Sequence, residues 1–299
     1  MQLYEEKELF EQLILATSEW KKIPPALVEK DYYVTNVLKY LSEAVPDMIF
    51  KGGTSLSKCY KIIERFSEDI DITISSKPTN SVKQNFKKAI VTMSNVCHLP
   101  IMNADRIQSR NQFNRYEINY SPIHTMQGLK EYLYIETVMM VKAFPYIKMQ
   151  ATSLIYDYLE KSGRNDIVQT FKLQPFKLNV QSLERTFIDK VFAICDYYLD
   201  KRIFEHSRHL YDLFKILPNI EFNSELKELI IEVREERKGK AFCLSAEDGI
   251  DIKNLLEKII AEKTYKKDYE ENTSKLLYEN VGYDEVIEAL RKIISINFF

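Results

Sequence analysis

The chain has 299 residues, enough for one large hydrophobic core or two modest ones. It is 45% hydrophobic and 29% charged, as in ordinary globular proteins, and its net charge of −2 gives no overall sign of a nucleic-acid partner. No apolar run approaches the ~18 residues of a membrane span. The N-terminal residues lack the basic and then apolar pattern of a signal peptide, so we expect a cytoplasmic protein.

The cysteines and histidines argue against two kinds of site. Cys59, Cys97, Cys195 and Cys243 are widely scattered, with no Cys-x-x-Cys pair and no matching histidines. This distribution disfavours structural zinc and a disulfide framework. We expect each cysteine to act as a small buried hydrophobe.

The first predicted elements are helical, and a strand with a glycine turn follows them. Apolar residues of one stripe indicate helices up to about Leu41. A short apolar run then ends at Gly52-Gly53, where glycine allows positive φ and close backbone approach. Thr54 and Ser55 are good N-cap residues for a helix through residue 63, and free N–H groups at a helix start bind anions.

A second strand, 69–74, carries two carboxylates on one face. Asp69, Asp71 and Thr73 alternate with three isoleucines, so the acids share a face. Their Cα atoms should lie roughly 7 Å apart, and their side chains can converge on one or two Mg²⁺ ions that bridge nucleotide phosphates. A strand, a glycine turn, a short helix and an Asp-x-Asp strand, in this order, indicate a metal-dependent phosphoryl-transfer enzyme that uses a nucleoside triphosphate.

Residues 48 to about 140 alternate strands with helices. Residues 81–96 are typical of a helix, and 116–120 and 132–139 are typical of strands, joined by a connection that contains Pro122 and Gly128. A run of basic residues with few acids between them fits a solvated helix face or, alternatively, an RNA site; it comprises Lys83, Lys87, Lys88, Arg106, Arg110 and Arg115.

From about residue 151 the pattern predicts helices to the end of the chain. Ser182 is a suitable cap for a helix in which Lys190 lies off the apolar stripe. In the next helix Arg208, Asp212 and Lys215 share a face, and an exposed salt-bridge ladder is the ordinary explanation of such a face.

Four groups of residues follow one another along the chain. They are Glu29-Lys30-Asp31-Tyr32-Tyr33-Val34, then Lys51-Gly52-Gly53-Thr54-Ser55-Leu56-Ser57-Lys58 with Arg65-Phe66-Ser67-Glu68-Asp69-Ile70-Asp71, then Glu184-Arg185-Thr186-Phe187-Ile188-Asp189-Lys190, and finally Ser207-Arg208-His209-Leu210-Tyr211-Asp212-Leu213. In this order they resemble the AbiEii/AbiGii family of nucleotidyltransferase-like toxins, which belongs to the DNA polymerase β-type nucleotidyltransferase superfamily. The resemblance covers roughly residues 20 to 220.

The resemblance implies roles for these residues. Asp69 and Asp71 would hold Mg²⁺, and Lys190 would stabilise the leaving pyrophosphate, with Asp212 positioning that lysine or Arg208. A third carboxylate from a later strand, Glu136 with Glu117 as competitor, would deprotonate the acceptor hydroxyl or complete the metal shell. The implied nucleotide-binding residues are Lys51, Gly52, Gly53, Thr54, Ser55, Arg65, Arg208 and Asp212.

The resemblance also implies a fold and a function. The expected fold is α/β (α+β): a polymerase β-like nucleotidyltransferase domain with a mixed sheet at 1–150, then a helical domain at 151–299 that contributes to the active-site cleft. The expected activity is Mg²⁺-dependent transfer of a nucleotide to RNA, such as a tRNA 3′ end, by the toxin of a toxin–antitoxin or abortive-infection system with a possible cognate antitoxin. The alternatives are transfer to a protein or small molecule, or an inactive nucleotide-binding protein.

Overall fold

The computed structural model describes residues 2–67, 69–76, 79–110, 113–127, 129–138 and 143–299. Within these ranges, the side chains of 108–110, 113 and 138 are not described. Glu68 of the quoted motif, Gly128 of the predicted connection and Met139 of the predicted strand lie outside the described residues. Two compact units make up the chain. The first is Met1–Tyr60 with Ser67–Val180, and the second is Lys61–Phe66 with Gln181–Phe299.

A mixed β-sheet forms the centre of the first unit. In the described part of the chain it has seven strands in the order β3-β4-β5-β2-β1-β7-β6. β1 is antiparallel to β2 and parallel to β7, while β2 is parallel to β5 and β4 is antiparallel to both β3 and β5. The strands are β1 Met48–Lys51, β2 Ile70–Ile74, β3 Gln108–Arg110, β4 Phe113–Asn119, β5 Tyr132–Val138, β6 Tyr146–Ala151 and β7 Phe176–Gln181.

Helices complete the first unit. They are α1 Lys7–Lys21, α2 Pro25–Ala44, α3 Gly52–Ser55, α4 Asn80–Val96, α5 Leu154–Lys161 and α6 Asn165–Thr170. Pro25 occupies the first turn of α2, where its missing N–H costs nothing. Most of α2 is buried, including the charged side chains of Glu29 and Lys30. The mixed sheet with N-terminal helices is the predicted fold class.

Two strands after residue 145 correct the predicted domain boundary. We expected a division at residue 150 and helices from 151 onward, but β7 is a strand that pairs with β1 through Ile49–Asn179 and Phe50–Val180. Asn179 also donates its amide to the carbonyls of Pro46 (3.0 Å) and Met48 (3.2 Å). A six-residue strand has little local signal when its partner lies about 130 residues earlier. The first unit therefore extends to Val180.

The helix after the glycine turn also differs from the prediction. It begins at Gly52 and not after Thr54, and it continues as a π-helical segment, Leu56–Tyr60. Ser55 Oγ donates to the Gly52 carbonyl (2.8 Å) and Thr54 Oγ1 donates to the Asp69 carbonyl (2.6 Å). The two hydroxyls are therefore buried inside the turn and do not cap it.

The second unit is helical. Its helices are α7 Leu183–Leu199, α8 Arg208–Ile216, α9 Ser224–Arg237, α10 Ile252–Ala261, α11 Lys266–Glu271 and α12 Tyr283–Ile296. Ser182 caps α7 as predicted, because its Oγ accepts the N–H of Arg185 (3.2 Å). The segment 61–66 joins this unit through Phe66 N–H to the Leu276 carbonyl (2.9 Å) and Tyr278 N–H to the Glu64 carbonyl (2.8 Å).

Two further predictions can be compared with the structure. All four cysteines are buried, as expected. Among the described residues, no helix has the length and apolar character required to cross a bilayer.

Candidate active site

The site begins where β1 runs into its glycine turn. Lys51, the last residue of β1, pairs with Asp71 on β2. Gly52 follows with φ +76°, in the left-handed region that favours glycine. A Cβ on Gly52 would lie 2.0 Å from Asp71 Oδ2. The turn therefore brings the backbone directly against one of the two predicted metal-binding carboxylates.

A row of charged side chains crosses four neighbouring strands on one face of the sheet. The register pairs Lys51 with Asp71, Asp71 with Glu136, and Glu136 with Arg115. Paired residues on adjacent strands project from the same face. The order of charges along the row is therefore positive, negative, negative, positive.

The opposite face of these strands is apolar, which explains the orientation of the row. Ile70 and Ile72 on β2, and Leu133 and Ile135 on β5, are fully buried. Asp71 and Glu136 alternate with these residues and are partly exposed. Asp69 precedes β2 by one residue, and its charge acts on Arg115 at the end of the row, which is consistent with the predicted Asp-x-Asp face. We call Asp69, Asp71 and Glu136 the carboxylate face.

The strand register separates the two candidates for the third carboxylate. Glu136 is the direct neighbour of Asp71 on the parallel strand β5. Glu117 lies one strand further away, on β4, opposite Tyr134. Of the two acids, Glu136 is therefore the one beside Asp71.

Glu136 is bound by Arg115. Its Oε1 accepts a hydrogen bond from Arg115 Nε (2.7 Å) and lies 2.6 Å from Nη2 in the same ion pair. The guanidinium also lies over the ring of Tyr134, 4.7 Å from the ring centre. Partial burial lowers the pKa of Arg115, but the charge of Glu136 outweighs this and raises it. Asp69 acts on Arg115 in the same direction.

The predicted basic run does not form one helix face. Lys83, Lys87 and Lys88 lie on α4, whereas Arg106 ends a short 3-10 turn and Arg115 lies on β4. Arg110, in β3, has a side chain outside the described ones. Because the six residues lie on four elements, they do not form one solvated helix face, and the alternative of an RNA site stays a prediction.

The donor atoms suit a Mg²⁺ ion that the protein and its substrate bind together. Within the described ranges, no three His, Cys, Asp or Glu side chains converge as a ready-made metal site. Mg²⁺, however, is commonly bound by one or two carboxylates together with substrate phosphates and water. Asp69 and Asp71 would supply two such carboxylates, and the missing Cβ of Gly52 leaves the Asp71 carboxylate room against the turn.

The second unit contains a buried ion cluster. Asp212 is fully buried and accepts hydrogen bonds from Arg65 Nε and Nη2, each at 2.7 Å, and from Lys190 Nζ at 2.5 Å. Burial by itself raises the pKa of Asp212, but the two cations outweigh it and lower that pKa. Burial lowers the pKa of Lys190. We call Arg65, Lys190 and Asp212 the buried cluster.

The buried cluster corrects the predicted salt-bridge ladder on α8. Asp212 bonds Arg65 and Lys190, which lie on other elements, while Lys215 pairs with Glu279 at 2.9 Å. Arg208, at the first position of α8, is half-buried. The ladder was predicted because the helix pattern shows only spacing along α8 and no partners from distant segments.

The family model described as "Nucleotidyl transferase AbiEii toxin, Type IV TA system" matches residues 37–289. The chain belongs to this family. It is therefore a nucleotidyltransferase, and its class is that of toxins in type IV toxin–antitoxin systems, with an antitoxin as partner and a nucleotide as substrate. The resemblance seen in the sequence is confirmed. Among curated proteins, none matches the chain.

The match covers the carboxylate face and the buried cluster but begins after Asp31. This AbiEii nucleotidyltransferase nevertheless uses Glu29, Lys30 and Asp31 of α2 to hold other segments. Glu29 accepts the N–H groups of Ile123 (2.8 Å) and His124 (2.9 Å). Lys30 Nζ donates to the carbonyl of residue 130 (2.7 Å), two residues before β5 begins. α2 thus fixes both ends of the connection that leads to Glu136.

Lys58 forms a buried ion pair that sequence reasoning missed. It belongs to the quoted glycine motif, yet no role was predicted for it. Its Nζ is buried and donates to Asp31 Oδ1 and Thr35 Oγ1, both at 2.6 Å. Asp31 Oδ2 in turn accepts the N–H of Leu154 (2.8 Å). Three consecutive charged residues flanked by apolar ones in α2, residues 29–31, were the signal that could have indicated these bonds.

Proposed function

We propose that this AbiEii nucleotidyltransferase moves a nucleotide from a nucleoside triphosphate to an RNA hydroxyl, the 3′ end of a tRNA, with Mg²⁺ as cofactor. The observation that carries the proposal is the register of Asp71 with Glu136, combined with the contact between Asp71 and the Gly52 turn. Together, the register and the contact place the carboxylates of Asp71 and Glu136 beside a backbone turn whose N–H groups can bind phosphate. The acceptor is supported by the family resemblance alone.

The carboxylate face and the glycine turn have different roles in the proposed reaction. Asp69 and Asp71 would hold Mg²⁺, which neutralises phosphate charge and activates the α-phosphorus. The backbone N–H groups of the Gly52–Ser55 turn bind phosphate oxygens. Glu136 accepts the proton of the acceptor hydroxyl. As the hydroxyl oxygen bonds to the α-phosphorus, the bond from that phosphorus to the bridging oxygen breaks and pyrophosphate leaves.

The second unit carries the other predicted nucleotide-binding residues. For Arg65, Lys190, Arg208 and Asp212 that role stays a prediction. The burial of the Lys190 ammonium against Asp212 favours a positioning role within the buried cluster.

A transfer assay tests the proposal. The protein is incubated with Mg²⁺, each of four labelled nucleoside triphosphates in turn, and total bacterial tRNA. Asp69→Asn and Asp71→Asn remove one charge each, and Asp105→Asn, in an exposed 3-10 turn of the same unit, is the matched control. We expect label in tRNA with wild type and the control, and a loss of about 10²-fold or more with the other two variants.

The outcomes separate the alternatives. Nucleotide binding without labelled tRNA would contradict the RNA acceptor and direct the search to protein or small-molecule acceptors. Equal labelling by Asp71→Asn and wild type would show that the carboxylate face is not the site. Transfer that persists in EDTA would remove Mg²⁺ from the proposal.

A further inference from the structure

Arg115 is placed to act on the carboxylate face, although the mechanism above gives it no role. It occupies the end of the charged row and binds Glu136 through two nitrogen atoms. Its side chain is 35% exposed and that of Glu136 is 18% exposed. The pair is therefore accessible to solvent, and breaking it leaves no charge sealed in the core.

The guanidinium acts on more than one carboxylate. Glu136 is its direct partner, and the charge of Asp69 also contributes to its raised pKa. In register, Arg115 stands next to Glu136, and Glu136 stands next to Asp71. The positive charge of Arg115 thus interacts with Glu136 directly and with Asp69 at longer range, and it stands two strands from Asp71.

The ring of Tyr134 gives the Arg115 guanidinium a second contact. Tyr134 precedes Glu136 by two residues on β5 and so lies on the same face of the sheet. Arg115 lies over its ring at 4.7 Å and Lys130 Nζ is 4.6 Å from the same ring centre. A cation over an aromatic face is stabilised by the ring. Arg115 consequently has a second contact that remains when its bond to Glu136 breaks.

We propose that Arg115 is an internal counter-cation of the carboxylate face, and that a divalent metal ion bound at Asp69 and Asp71 competes with it for Glu136. In the metal-free protein Arg115 holds Glu136. When the ion binds, repulsion between the two cations weakens the Arg115–Glu136 bond and leaves the carboxylate able to accept a proton or a metal bond. This inference rests on the proposed function, because it requires a metal at the carboxylate face.

Metal binding without nucleotide tests the competition directly. Mn²⁺ is titrated into the protein, and free Mn²⁺ is measured by electron paramagnetic resonance at constant ionic strength. We expect Arg115→Gln to bind Mn²⁺ about fivefold more tightly than wild type, the size of effect that a partly exposed charge pair produces. Arg115→Lys retains the charge, although not the two-nitrogen contact with Glu136, and should therefore gain clearly less affinity than Arg115→Gln. A structural role alone would not tighten metal binding.

Two controls make the result specific. Arg106→Gln removes an exposed cation of the same unit that lies outside the row, and it should leave Mn²⁺ affinity unchanged. Glu136→Gln in the Arg115→Gln background should remove most of the gain. Thermal unfolding of each variant shows whether it is folded.

The outcomes distinguish failure of the inference about Arg115 from failure of the proposed function. Unchanged or weaker Mn²⁺ binding by folded Arg115→Gln, with binding abolished in Asp71→Asn, would overturn the role of Arg115 and leave the proposed function standing. Wild-type protein that transfers nucleotide but binds no Mn²⁺ on its own would also overturn the inference. Absence of both binding and transfer would overturn the proposed function together with the inference.

Discussion

The Cα of Gly52 and the carboxylate of Asp71 are in such close contact that any side chain at position 52 would meet the acid. A Cβ there would lie 2.0 Å from Oδ2 and 2.9 Å from Cγ of Asp71. Atoms that are not bonded do not approach so closely, and hence either the turn or the carboxylate would have to move. The turn proposed to bind phosphate and the acid proposed to bind metal are therefore held in place by one contact.

Gly52→Ala should therefore lower transfer activity far more than it lowers stability. Displacing a catalytic group by about 1 Å can cost on the order of 10²-fold in rate. The matched control is Gly163→Ala, because Gly163 has a similar φ of +71° but no atom within 4 Å of its added Cβ. Both variants bear the strain of alanine at positive φ, about 1–2 kcal/mol. Only Gly52→Ala meets Asp71.

kcat/KM and the free energy of unfolding of both glycine variants check this prediction. If Gly163→Ala lost as much activity as Gly52→Ala, strain and not the contact with Asp71 would be the cause.

The local part of this site could be predicted from sequence, because it depends on neighbouring residues. Alternation in 69–74 indicates two acids on one side of a strand, and paired glycines indicate a turn. The contact between Gly52 and Asp71 requires the β1–β2 register. The Arg115–Glu136 bond likewise requires the β4–β5 register, so Arg115 was interpreted as part of a basic run. β7 was predicted as helix because its partner lies far away in sequence.

Asp212→Asn should strongly destabilise the second unit. The substitution leaves Arg65 and Lys190, which are 3% and 5% exposed, without a compensating charge. Breaking a buried ion pair in this way typically costs about 3–5 kcal/mol. Asp166→Asn breaks the exposed pair with Arg164 and should have little measurable effect. Chemical denaturation of the three proteins measures the difference, and equal stabilities would contradict the importance of the buried cluster.

Lys58 and Asp31 should show strong energetic coupling. Lys58→Met leaves the Asp31 carboxylate without its cation and should lower the free energy of unfolding by about 3 kcal/mol. The Asp31→Asn and Lys58→Met double variant should be less destabilised than the sum of the single variants, by about 1–2 kcal/mol. The Lys238–Asp248 pair, exposed on its acid side, serves as the control cycle. Additive effects at positions 31 and 58 would contradict direct coupling.

Stability should fall as the pH drops below 6.5, and His206 should contribute to that loss. Burial, followed by the charges of Arg208 and Arg202, lowers the pKa of His206 to about 4. Its ring stacks on Tyr197 with centroids 3.5 Å apart. Between pH 6.5 and about 4 the unfolded chain binds a proton that the folded protein does not, so unfolding is favoured as pH falls.

Denaturation of wild type and His206→Gln at several pH values checks the histidine prediction. The variant should lose part of the pH dependence in this window, and His98→Gln, at an exposed position, should retain it. His209 has a lowered pKa as well and should account for part of the remaining dependence. Identical pH profiles for wild type and His206→Gln would show that His206 binds its proton as readily in the folded protein as in the unfolded chain.

The division of the second unit into Lys61–Phe66 and Gln181–Phe299 has a consequence for synthesis of the protein. Arg65 leaves the ribosome 147 residues before its partner Asp212. At translation rates of about 5–20 residues per second, this interval lasts roughly 7–30 s. During that time the six-residue segment has no partner helices, and a chain truncated after residue 180 never acquires them. The nascent enzyme therefore cannot complete this unit until most of the polypeptide exists, which delays the earliest moment at which a newly made toxin can be fully folded.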